Sequence, residues 1–236
     1  MRCSRAIHML RTAKIRLLLC CAALVPVLAL AHGVSSRDAQ FVAAVQGVNF
    51  MPFLYLGAKH MVTGYDHLAF LAGVIFLLYR LRDVALYASL FALGHSATLL
   101  AAVLLGYRAN PWIVDAIIGL SVVYKGFENI DGFRNLRWRL DPRAAVLAFG
   151  LVHGLGLATK LQELQLSRDG LAANLIGFNL GVELGQLAAL SVMVLLFTLW
   201  RATRSFRPSI YPANVALMTV GLALFGYQLG GYLLAR

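Results

Sequence analysis

The chain predicts an all-α polytopic membrane protein, a bundle of about six transmembrane helices behind a cleaved signal peptide. Of its 236 residues 60% are apolar and only 13% charged. The mean hydropathy is +0.75, and the apolar residues gather into long runs separated by short, arginine-bearing loops. A soluble domain could not bury that much apolar surface. No long polar insertion divides the runs, so residues 32–236 are expected to form a single domain.

Residues 1–31 read as a secretory signal: a basic stretch with Arg2, Arg5, Arg11, Lys14 and Arg16, an apolar core over 17–28, and the small-x-small site Ala29-Leu30-Ala31. The core falls short of the roughly 20 residues a span needs, which favours cleavage over a retained helix. The mature chain then begins at His32. Cys3, Cys20 and Cys21 all leave with the signal, and Leu19 and Cys20 are the wrong residues to precede a lipidation cysteine. The mature protein is left without thiols. Any metal site must be built from imidazole, carboxylate, amide or backbone ligands.

Residues 39–60 form a weaker apolar run interrupted by Gly47, Pro52 and Gly57, which predicts an interfacial or re-entrant helix feeding the first span. Six spans are then expected, at about 63–79, 84–105, 112–129, 143–161, 171–200 and 211–234. The first and fourth are short, and the fifth is long enough to tilt.

Loop charges orient the bundle. A cleaved signal leaves the N-terminus outside, which puts Arg80 and Arg82, then Arg134, Arg137, Arg139 and Arg143, then Arg201, Arg204 and Arg207 on the cytoplasmic side. The opposite loops carry only Arg108, Lys160 and Arg168. This is the asymmetry the positive-inside rule requires, with both mature termini outside a bacterial inner membrane. Topology and the signal account for the net charge of +11, so the composition points to a lipid bilayer as partner and not to nucleic acid. The arginine-rich 132–143 loop suits either a soluble partner or anionic lipid.

Ionisable side chains are costly in hydrocarbon, so those inside the spans are candidate functional residues. The tightest group, His60-Met61-Val62-Thr63-Gly64-Tyr65-Asp66-His67, lies at the expected mouth of the first span. His60 and His67, seven apart, return to one face if the segment is helical throughout. A break at Gly64 would fold His60 back over Asp66 and His67 and also bring the three together. His95 lies near the middle of the second span and His153 near that of the fourth. Asn179, Glu183 and Gln186, spaced four and three apart, share a face of the fifth. Gly177, Gly181 and Gly185 repeat every four residues and, with Gly94, Gly154 and Gly156, permit close helix approach.

Plainer roles exist for each. A single transmembrane histidine can simply hydrogen-bond a neighbouring helix, and Glu183 can be a paired structural carboxylate. Lys125 and Glu128, three apart, suit an intrahelical ion pair, and Asp115 suits the positive end of a helix.

The pattern His60-x-x-x-Gly64-x-Asp66-His67 resembles the signature of the HupE/UreJ family, small membrane proteins associated with hydrogenase and urease gene clusters and regarded as nickel permeases. That signature is His-Pro-x-x-Gly-x-Asp-His, and here Met61 stands where proline is expected. Leu93-Gly94-His95-Ser96, 151–156 around His153 and 177–186 around Glu183 resemble a divergent branch of the same family, so the likeness covers most of the mature chain. The better-known branch carries a histidine ahead of Gly-x-Glu. Here Gly181-Val182-Glu183 is kept, but the upstream position is Ile176, so ligand duty would pass to His95, His153 or Asn179. The resemblance implies a metal permease and, as partners, the machinery that matures nickel enzymes.

Three classes of function follow. The first is transport of a divalent transition-metal ion, with nickel foremost and cobalt, zinc or copper(II) also suited to imidazole and carboxylate. His60, Asp66 and His67 would capture the ion, and His95, His153, Glu183 and Asn179 would offer a deeper site. Uptake should then weaken as pH falls through about 6.5, where imidazole protonates. The second is a metal-dependent intramembrane enzyme, although the chain has no His-Glu-x-x-His or Gly-x-Ser-x-Gly motif. The third is a non-transporting accessory protein that stores or hands over metal.

Overall fold

The computed structural model describes residues 40, 42, 46–134, 140–163 and 169–235. The signal segment, His32, Arg137, Arg139 and Arg168 lie outside the described residues. The described residues form seven main helices and no strand: α1 (Phe50–Thr63), α2 (Tyr65–Ile75), α3 (Leu81–Leu105), α4 (Pro111–Asn129), α5 (Pro142–Glu163), α6 (Leu171–Arg201) and α7 (Phe206–Leu234).

Local sequence sets their ends. Gly106 stops α3 in the left-handed region at φ 69° and turns its N–H back to Ala102 and Val103. Asn110 opens α4 by accepting from the Ile113 N–H at 3.3 Å, with Pro111 in the first helical position. Helices α3, α5, α6 and α7 are long and apolar enough to cross a membrane. All five helices from α3 to α7 lie within a few residues of the expected spans.

The difference falls at the start. Residues 50–63 form a helix of their own, and the expected first span shrinks to α2, about 16 Å long at 1.5 Å per residue. Pro52 and Gly57, read as interruptions, interrupt nothing. Pro52 sits in the first turn of α1, where no helical acceptor awaits its missing N–H. A Cβ on Gly57 would run into the Phe178 carbonyl, so this glycine is a packing contact. The break is at Gly64, whose extended ψ of 92° separates α1 from α2. Among the described residues, four helices have the length and hydropathy of a span, and α2 is a shorter apolar helix.

The helices pack in three close pairs: α1 with α6, α3 with α5, and α4 with α7. In the first, Phe50 lies beside Gly177, Leu54 beside Gly181 and Ala58 beside Gly185, so two parallel helices meet at every turn through the glycine repeat. In the second, Gly150 lies against Phe91 and Gly154 against the His95 carbonyl. The third is antiparallel, with Gly119 against Gly221 and Phe225, and Gly126 against Met218. Short α2 is enclosed among them, with Asp66, His67, Phe70, Leu71, Gly73, Val74 and Ile75 all buried.

Candidate functional site

His67, a turn into α2, is the hub of a buried cluster of imidazoles. Its ring centroid lies 5.2 Å from that of His60 at the end of α1, 5.9 Å from His95 of α3 and 4.9 Å from His153 of α5. All three contacts are edge-on. His67, His95 and His153 are 4%, 1% and 0% exposed, and His60 is half-buried. Both sequence alternatives for this segment hold in part: the helix does break at Gly64, and His60 and His67 do converge.

The walls are aromatic. Phe91 lies 6.4, 6.1 and 5.1 Å from His67, His95 and His153, and Phe70 lies 5.4 Å from His153. Sequence reading passed over both phenylalanines. The available signal was helical spacing: Phe70 follows His67 by three and Phe91 precedes His95 by four, so each shares its histidine's face.

The ring nitrogens divide into held and unheld. Asp66 Oδ1 lies 2.9 Å from His67 Nδ1, with both side chains buried. His153 Nδ1 donates to the Phe149 carbonyl at 2.7 Å. The Nε2 atoms of His67 and His153 and both ring nitrogens of His95 are buried with no hydrogen-bond partner among the described residues. A buried polar atom left unmatched costs on the order of 1–3 kcal/mol. Each neutral ring offers one lone pair, so these three histidines supply at most three nitrogen donors, of a kind that suits nickel, cobalt, zinc or copper(II).

Among the described residues, no group of three His, Cys, Asp or Glu side chains stands ready-made at metal-holding geometry. A metal–nitrogen bond of about 2.0–2.1 Å brings two ligating rings to roughly the spacing seen around His67. The arrangement is a cluster of neighbouring imidazoles around His67, with no closed coordination sphere among the described residues.

The remaining candidates lie apart from the rings. Ser96, next to His95, donates to Glu183 Oε1 at 3.4 Å, which ties half-buried Glu183 of α6 to α3. Asn179 is buried a turn earlier, its Oδ1 unmatched among the described residues, and Gln186 donates to the Ala88 carbonyl at 3.0 Å. Lys125 and Glu128 form the intrahelical pair expected of them, at 2.7 Å. Asp115 does more than favour a helix start: it is buried and takes Lys160 of α5 at 2.8 Å and Gln228 of α7 at 3.4 Å. Arg201, read only as a loop charge, donates to the Ile75 and Phe76 carbonyls at 2.7 Å each and so closes the end of α2.

Long apolar helices around a buried cluster of imidazoles define a multi-pass membrane protein. A family match, described as HupE / UreJ protein, covers residues 36–236, and the chain belongs to that family. The family is linked to nickel or cobalt transport and to urease accessory roles. No curated protein and no solved structure matches the chain.

Proposed function

We propose that the protein is a permease for a divalent transition-metal ion, nickel foremost, and that the ion crosses the bilayer along the imidazole cluster, which serves as a relay. The observation that carries this reading is the set of unmatched ring nitrogens of His67, His95 and His153, the last two rings each buried against His67. A storage or catalytic site would favour one tight, complete coordination sphere. A conduction path needs the opposite, several neighbouring sites each weak enough to release the ion to the next. The relay around His67 has that character. His60 and Asp66 belong to its receiving side, and Glu183 and Asn179 line the α6 face toward which the ion is passed on.

The six expected spans would then cross a bacterial inner membrane, with both termini of the mature chain outside and residues 1–31 removed as a signal. Passage is driven by gradients or by an outside partner and not by hydrolysis in this chain, whose sequence has no nucleotide-binding motif. Cells expressing the protein should accumulate nickel, and His67→Ala should abolish the gain at equal expression; undiminished uptake would sink the proposal. Metal that co-purifies with the protein but shows no flux in proteoliposomes would favour an accessory or enzymatic role for the same histidines.

A further inference from the structure

The relay works only if each ring turns its lone pair toward the ion, and the structure shows how two of them do so. A neutral imidazole carries one N–H and one lone pair, and whichever nitrogen donates a hydrogen bond leaves the other to ligate. In α5 the Phe149 carbonyl accepts from His153 Nδ1 at 2.7 Å, which leaves Nε2 as the basic nitrogen. In α2 the Asp66 carboxylate occupies the corresponding position, 2.9 Å from His67 Nδ1. A carboxylate can only accept, so the proton belongs on His67 Nδ1, and the buried, unmatched Nε2 is again the free end. A backbone carbonyl and a side-chain carboxylate thus do the same work on two facing rings 4.9 Å apart.

The break between α1 and α2 serves this contact. A Cβ added to Gly64 would come 2.9 Å from His67 Nδ1 and 3.2 Å from Asp66 Oδ1. The backbone there has φ −76°, which any residue can adopt, so glycine is needed for space and not for conformation. The hydrogen-bonded pair is folded against the turn, and only a residue without a side chain leaves room for it.

We propose that Asp66 is a positioning residue and not a ligand: it fixes the tautomer and direction of the His67 ring so that Nε2 meets the ion. This rests on the permease reading above, in which His67 binds metal, and it divides the acid from the histidine within one motif. Outer partners of metal-binding histidines act in this way, and losing one typically costs about 10–100-fold in affinity.

The test is nickel(II) binding to the purified full-length protein in detergent, by titration and by X-ray absorption, for wild type, Asp66→Asn, Asp66→Ala and His67→Ala. Asparagine keeps a carbonyl oxygen to accept from Nδ1 but is a poor substitute for a ligating carboxylate. Asp66→Asn should therefore stay within about tenfold of wild type and keep the imidazole signal of the bound nickel, whereas Asp66→Ala should lose about 100-fold and one imidazole. Gly64→Ala should resemble Asp66→Ala. If Asp66 ligates directly, the Asn and Ala variants will weaken alike and both keep the full imidazole signal, which overturns the proposal. If His67→Ala binds nickel as wild type does, the permease reading fails first and the role of Asp66 fails with it.

Discussion

The three outer helix pairs and the short helix they enclose are held by opposite means. Between α1 and α6, α3 and α5, and α4 and α7, backbones touch through glycines, and a single added carbon would strike a carbonyl at Gly57, Gly154 or Gly181. Helix α2 has no such partner. It is held by polar contacts at its end: Asn129 donates to the Gly73 carbonyl at 2.9 Å, and Arg201 to the last carbonyls. In hydrocarbon, tight packing is the cheapest way to join helices that have no hydrophobic effect to drive them together. A helix that ends inside the bundle must instead have its terminal carbonyls satisfied by side chains. The frame is thus built from the absence of side chains, and the centre from a few that cannot be spared.

The contrast breaks most severely at the frame. Gly181→Leu places four carbons where one already meets the Leu54 carbonyl, and the obstacle is backbone that cannot rotate away. Overpacking usually costs about 1–3 kcal/mol and here should exceed it, so the variant should be lost from the folded fraction in detergent melting experiments. Normal folding of Gly181→Leu would mean that α1 and α6 are not in contact as described.

At the centre the expected effect is on function and not on fold. His153→Phe preserves ring volume in a pocket already lined by Phe70 and Phe91, and it removes an unmatched buried nitrogen. Stability should stay the same or rise by about 1 kcal/mol, while nickel uptake falls at least tenfold. A stable variant with full uptake would remove His153 from the path. A strongly destabilised one would show that its bond to the Phe149 carbonyl holds the fold.

How much of this was legible in the sequence follows the same division. The frame was readable because its signals are local: apolar length fixes α3 to α7 to within a few residues, and the repeat of Gly177, Gly181 and Gly185 announces a helix contact, though not that α1 is the partner. The histidines stood out because charge and hydrogen-bonding capacity are expensive in an apolar run. The interruptions expected at Pro52 and Gly57 were misjudged, since these residues act as breakers in water-exposed chain but here are a first-turn residue and a packing surface. The partners of Asp115 and Arg201 were out of reach. Each pairs with a segment dozens of residues away in the chain, and spacing along one helix holds no trace of that.

A smaller loss is expected at Arg201. Its guanidinium also lies 4.7 Å from the Tyr79 ring, so charge, hydrogen bonds and stacking all act together. Arg201→Ala exposes two carbonyls that had a charged donor and should cost about 1–3 kcal/mol in thermal unfolding. Arg201→Lys should recover only part, because an ammonium lacks the planar group that lies over the Tyr79 ring while one of its nitrogens donates to both oxygens.

The smallest effect should come from glycines that touch nothing. A Cβ at Gly226 or Gly230 of α7 would meet no atom of the described residues within 4 Å, in contrast to Gly231, where it would strike the Trp112 ring. Alanine is a better helix former than glycine by roughly 0.5–1 kcal/mol. Gly226→Ala and Gly230→Ala should therefore leave uptake unchanged and raise stability by no more than that amount. The same substitution at Gly181 is prohibitive, so residue type alone predicts nothing and the neighbour decides. A measured loss at Gly226 or Gly230 would show that this face of α7 meets a neighbour beyond the described residues.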